Sequence, residues 1–271
     1  MKVLLLSTLP LIFMSCVTME RTGRRYTELA KNCKAEFVIP HKPIGEEDLM
    51  ELPDPVRRYF RYSQVVGKPR PRSFTVVMEG RIRNGPDSPW MDISMEQYNR
   101  LDAPARVAYI RAPKQFTSGV DSFVNGDGRM RIKILNALTV VDNRSPEMAL
   151  SSLVTFLNDL VLCPTGYFSL PVRWREVNAN QAELSLEYRG MRATALVSFD
   201  NEGRIVDWQS KDRYADVKGK NVRDRWSTPF KGQQNLAGLR IPAGGVGIHD
   251  YDGKPFVYVE LDRIHSLNIQ D

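Results

Sequence analysis

From Ser73 onward the chain keeps returning to a period of two, and this alternation limits its fold more than any other feature. Phe74, Val76, Met78 and Ile82 alternate with Thr75, Glu79, Arg81 and Arg83. Successive side chains of a strand point to opposite faces, so the run predicts a sheet with one apolar face. The pattern recurs at Met130, Ile132 and Ile134 against Arg129, Arg131 and Lys133. Leu184, Leu186, Ala193, Ala195, Val197 and Phe199 share one apolar parity further on. Asn125-Gly126-Asp127-Gly128, Arg189-Gly190 and Asn201-Glu202-Gly203 read as tight turns between such runs. Other strands are expected over Trp90 to Tyr98, Ala105 to Arg111, Arg204 to Asp212, Gly238 to Pro242, Pro255 to Glu260 and Arg263 to Ile269. About ten strands joined mostly by short turns imply a mainly antiparallel sheet.

Two segments break the alternation. In Leu52 to Phe60, Asp54 stands as a plausible N-cap and Pro55 at the first helical position, while Val56, Tyr59 and Phe60 form one apolar stripe. Ser145-Pro146-Glu147 opens a second helix. Its stripe is Leu150, Leu153, Val154, Leu157, Leu160 and Val161, with Ser152 and Asp159 opposite and Pro164 beyond its end. A large antiparallel sheet tends to curl and must cover its apolar face. The expected fold is therefore mainly β with α: a curled antiparallel half-barrel, one helix in its concave face, and an N-terminal helix.

The start of the chain reads differently. Met1-Lys2 is followed by an apolar run from Val3 to Phe13, too short to span a bilayer but right for a signal peptide. The run ends in Phe13-Met14-Ser15-Cys16, which resembles the lipobox of bacterial lipoproteins, with Phe13 and Met14 departing from the usual residues. The expectation is a signal peptide over 1–15, a lipidated Cys16 with a polar tether over 16–45, and one β-rich domain over 46–271. Such a protein sits in the cell envelope, held to a membrane by its lipid.

The 38 Lys and Arg against 32 Asp and Glu give a net charge of +6. These charges are scattered, and an exported chain rarely meets nucleic acid, so no nucleic-acid partner is expected. Cys33 and Cys163 are far apart in sequence and leave a disulfide open. No CxxC and no cysteine–histidine cluster occurs, so no metal or other cofactor is expected. Asp121, Asn125 and Asp127 lack the spacing of a calcium loop, and hairpin turn chemistry explains Asn125 to Gly128. The three histidines, His41, His249 and His265, stand in no nucleophile motif, and no catalytic residue is assigned.

Several segments carry a resemblance. Leu52-Pro53-Asp54-Pro55-Val56-Arg57-Arg58-Tyr59-Phe60, Asp121 to Gly128, Leu157 through Trp174 to Ser210-Lys211-Asp212-Arg213-Tyr214, Ser227-Thr228-Pro229 and Gly238-Leu239-Arg240-Ile241-Pro242 resemble a family of uncharacterised bacterial proteins. That family is known only as a domain of unknown function. The architecture also looks like the lipoprotein-carrier half-barrels of the bacterial envelope, which hold acyl chains between sheet and helices. This second resemblance implies a lipid or other apolar ligand.

Three readings of function follow: a lipid-anchored envelope protein binding an apolar ligand without turning it over, an envelope hydrolase, or a structural lipoprotein with a filled core. Under the first, Met78, Met130, Ile132, Leu186 and Val197 are candidates to line the ligand space. Asp212, Arg213 and Tyr214, with Asp159 as a neighbour, are candidates for a polar anchor at its mouth. The plainer reading of Asp212-Arg213-Tyr214 is a strand-end ion pair. Trp90, Trp174, Trp208 and Trp226 fit ordinary packing or a pocket wall.

Overall fold

Alternating apolar residues do pair into one curled sheet. The computed structural model describes residues 21–33, 42–135, 138–217, 220–251 and 253–271; the expected signal peptide and Cys16 lie outside the described residues. Three helical pieces come first: α1 (residues 21–32), α2 (Glu47–Met50) and α3 (Asp54–Tyr62). A meander follows through β1 (Ser73–Ile82), β2 (Met91–Arg100), β3 (Ala105–Ala112), β4 (Thr117–Val124), β5 (Asp127–Ile134) and β6 (Leu138–Asn143). The chain then enters α4 (Pro146–Asp159). A second meander runs through β7 (Arg173–Asn178), β8 (Gln181–Tyr188), β9 (Met191–Phe199), β10 (Ile205–Val217) and β11 (Lys220–Ser227). After the short β12 (Phe230–Lys231), β13 (Gln234–Leu236) and β14 (Leu239–Ile241), the chain ends in β15 (Gly244–Tyr251) and β16 (Lys254–Gln270).

Thirteen strands form one path, in the order β6-β5-β4-β3-β2-β1-β16-β15-β11-β10-β9-β8-β7, and β12 pairs with β15. All these neighbours are antiparallel. The last strand, β16, lies mid-sheet between β1 and β15 and so joins the two meanders. The sheet curls into a half-barrel around α4. The two expected strands at Pro255–Glu260 and Arg263–Ile269 are one long strand. Register shifts opposite β1 let it bend without ending.

Two of the expected turns have the backbone that hairpins need. Asn125 and Gly126 have φ of 54° and 83°, and Arg189 and Gly190 have 50° and 78°. Positive φ at both central residues matches the twist of the flanking strands.

The concave face holds the main core, with Phe74, Val76, Met78, Phe123, Leu186, Val197 and Trp208 against Leu153, Val154, Phe156 and Leu157 of α4. Ser145 caps α4, its Oγ accepting from the Met148 N–H at 3.1 Å. Ser152 and Asp159 were expected to lie opposite the buried apolar stripe. Instead Ser151, Ser152 and Asn158 are buried as well, because the sheet wraps around the helix.

Two N-terminal expectations change. Asp54 is the first residue of α3 rather than its cap, and its carboxylate takes the guanidinium groups of Arg57, at 3.0 Å, and Arg58. Within the segment expected to be a tether, α1 packs on the convex face of β2, β3 and β4. There Tyr26 and Cys33 join Tyr98, Ala105, Val107, Tyr109 and Val120 in a second cluster. Amphipathic periodicity in α1 was masked by its charged residues Arg21, Arg24, Arg25 and Glu28. Cys33 on this convex side and Cys163 in the main core are both free and buried. Burial pushes the Cys163 thiol up to about 12, an unreactive state.

Candidate functional site

Between α4 and the sheet lies a cavity of about 180 Å³. Apolar side chains from β1, β2, β3, β5 and β16 form most of its wall: Met78, Ile93, Met95, Ile110, Met130, Leu261 and Ile264. Val161, Leu162, Trp226 and Phe230 add to it, and Gly244, Gly245 and Gly247 of β15 contribute backbone. The nearest part of α4 is polar. Thr155, Asn158 and Asp159, spaced three and four residues apart, share the face turned to the cavity.

A charged cluster is set into this wall. Arg106 on β3 and Asp121 on β4 stand at concave positions, and both are buried. The Arg106 guanidinium donates from Nη1 to Asp121 Oδ2 at 2.5 Å, from Nε to Asp159 Oδ2 at 2.6 Å, and from Nη2 to Gln97 Oε1 at 3.0 Å. Gln97 Nε2 in turn donates to Asp159 Oδ2 at 2.8 Å. Burial works against the Arg106 charge, but Asp121 and Asp159 outweigh it and raise its pKa. Burial pushes the Asp159 carboxyl upward, while Arg106 and Gln97 pull against it. A carboxylate at the C-terminal end of α4 also faces the negative end of the helix dipole, and the Arg106 contact offsets this. Asp121 Oδ1 is buried and meets no donor.

Arg213 approaches the cavity from β10. Its Nη1 donates to Thr155 Oγ1 at 2.6 Å, and its guanidinium carbon lies 4.2 Å from the centroid of the Trp226 ring. Trp226 is held in turn by its indole N–H, which donates to the Tyr258 hydroxyl at 3.2 Å. Beside them His249 Nδ1 lies 3.0 Å from Asp224 Oδ2, with the His249 and Tyr258 rings 4.8 Å apart. Burial, and then the Arg213 charge, lower the His249 pKa to about 3, and burial lifts Asp224 to about 6.

The structure brings some of the expected residues to this cavity and sends others elsewhere. Met78, Met130, Asp159 and Arg213 line it. Leu186 and Val197 are buried in the core beside α4, away from the cavity, and Ile132 is half-buried on β5. Asp212, next to Arg213, lies on the other face of β10, where its carboxylate accepts from Thr194 N at 2.9 Å and pairs with Arg223. The Tyr214 N–H donates to Ser151 Oγ at 2.9 Å, so this residue ties β10 to α4. Sequence reading missed Gln97, Arg106 and Asp121. A signal did exist: each puts a polar side chain at the apolar parity of its strand, in line with Met95, Ala108 and Phe123 respectively.

The sequence profile of one family matches residues 42–261. The chain belongs to DUF6544, a family of unknown function. No curated protein matches this DUF6544 chain. Among solved structures, a LolA-superfamily protein of Nitrosomonas europaea is similar in fold. It has 11% identity and a TM-score of 0.43, over 84% of this chain and 94% of that one. A putative outer membrane lipoprotein-sorting protein domain of Vibrio parahaemolyticus has 10% identity and a TM-score of 0.38, over 73% and 85%. Among the described residues, no helix is long and apolar enough to cross a membrane.

Proposed function

We propose that this protein is a lipid-anchored component of the bacterial envelope that holds an apolar ligand, a lipid or acyl chain, without turning it over. The observation that carries this reading is the cavity of about 180 Å³ between α4 and the concave sheet, walled largely by aliphatic, methionine and aromatic side chains. An apolar cavity of roughly 150 Å³ in another protein takes up benzene, so this one has room for a short stretch of hydrocarbon. Methionine suits such a wall because its unbranched thioether adapts to irregular shapes. A hydrolase would need an activated nucleophile, whereas the half-buried His249 is joined to Asp224, with its ring tilted against that of Tyr258.

A neutral environment-sensitive dye, N-phenyl-1-naphthylamine, titrated into the full chain tests the reading. Saturable fluorescence enhancement is expected, and Met130→Trp, which fills the space from β5, is expected to abolish it with the circular dichroism spectrum retained. Unchanged dye binding in Met130→Trp, or no binding to the wild type, would leave the cavity reading without support.

A further inference from the structure

We propose that the ligand is an anionic amphiphile whose head group pairs with Arg213 inside the cavity; this rests on the reading of the cavity as an apolar-ligand site. Four charged side chains line the space: Arg106, Asp121, Asp159 and Arg213. The first three pair with one another through Arg106, with Asp121 Oδ1 left over. Arg106 commits its Nε and both terminal nitrogens to Asp159, Asp121 and Gln97, and its charge is met by two carboxylates.

Arg213 is arranged differently. Among the described residues it forms no ion pair, and its polar side-chain contact is the Thr155 hydroxyl. Its Nε is buried and without an acceptor. The Trp226 ring supports one face of the guanidinium at 4.2 Å, which fixes its plane while leaving in-plane donors unused. A buried donor left unpaired costs about 1–3 kcal/mol, more if charged, so an acceptor arriving with the ligand would recover that loss. A planar fork of N–H donors at the edge of an apolar space suits a carboxylate or a phosphate. The acidic groups do not fill this role. Asp224 is joined to His249, Asp212 lies on the opposite face of β10, and neither Asp121 nor Asp159 pairs with Arg213.

The test displaces the neutral dye from the full wild-type chain at pH 7 with four compounds of equal chain length: octanoate, octyl phosphate, 1-octanol and octylamine. Octanoate or octyl phosphate should compete at least roughly tenfold better than 1-octanol, as expected of one charge-assisted contact. Preference for octanoate points to a free fatty acid, and preference for octyl phosphate to a phospholipid head group. In Arg213→Met the anions should lose this advantage while 1-octanol competes as before. Equal competition by anion and alcohol in the wild type would overturn the proposal even where Arg213→Met fails to fold. Superior competition by octylamine would do so too, moving recognition to the unpaired Asp121 oxygen. Failure of the dye itself to bind would instead remove the cavity reading beneath it.

Discussion

At the scale of single residues, the two members of the Asp224–His249 pair beside the cavity respond to acid in opposite ways. Asp224, pushed up to about 6 by burial, keeps a proton in the folded chain that the unfolded chain has already released. Its contribution to stability is therefore present at low pH and lost as pH rises through 6. His249, pushed down to about 3, stays neutral when folded while the unfolded imidazole takes a proton. Its contribution is present above about 6.5 and lost as pH falls toward 3. Between about pH 4 and 6 the two slopes, each near 1.4 kcal/mol per pH unit, oppose one another. Asp224→Asn removes one of them. The variant's unfolding free energy, measured in urea from pH 7 to 4, should fall more steeply with acid than the wild type's. Parallel profiles would show that Asp224 does not carry the proton assigned to it.

At the scale of elements, α4 is seated by a place in the sheet where no side chain intrudes. Gly128 on β5 faces the first turn of the helix. A Cβ there would lie 2.7 Å from both the Ala149 Cα and the Met148 carbonyl oxygen. The glycine of the Asn125-Gly126-Asp127-Gly128 run thus serves the helix contact, whereas Gly126, at φ 83°, serves the turn. Gly128→Ala should push α4 outward and lower stability by roughly 1–3 kcal/mol, as overpacking does. A urea midpoint equal to wild type would mean that the helix and strand part without cost. Hairpins and the α4 cap were legible in sequence because turn chemistry and capping are local. Strands β7 and β11 were not, since Arg173–Asn178 and Lys220–Ser227 are mostly polar and gain their place by pairing with neighbours.

At the scale of the whole molecule, the N-terminus bears on how the half-barrel meets a membrane. Residue 21 already belongs to α1, which packs on the convex face of β2 to β4. Five peptide steps separate it from Cys16, a reach of at most about 18 Å. A lipid on Cys16 would therefore keep the convex side close to the bilayer, a shorter leash than a tether running to residue 45. Metabolic labelling with an alkyne fatty acid should tag the wild type in its native host and leave Cys16→Ala untagged. Equal tagging of both would rule out Cys16 as the attachment point.

The sequence by itself determined the β-rich class, the antiparallel meanders, the helix in the concave face and the family to which the chain belongs. The family rests on the match over residues 42–261; the rest follows from periodicity, capping and turn residues, which act over a few positions and can be read from the order of side chains. Only the tertiary structure decided that β16 lies mid-sheet and that Gln97, Arg106, Asp121 and Asp159 converge on one cluster. It also decided that Arg213 faces the cavity while its neighbour Asp212 faces away. Alternation tells that two neighbours point to opposite faces, but not which face closes over a helix. That choice is made by pairing between residues far apart in the chain, where burying one charge requires a partner from another strand.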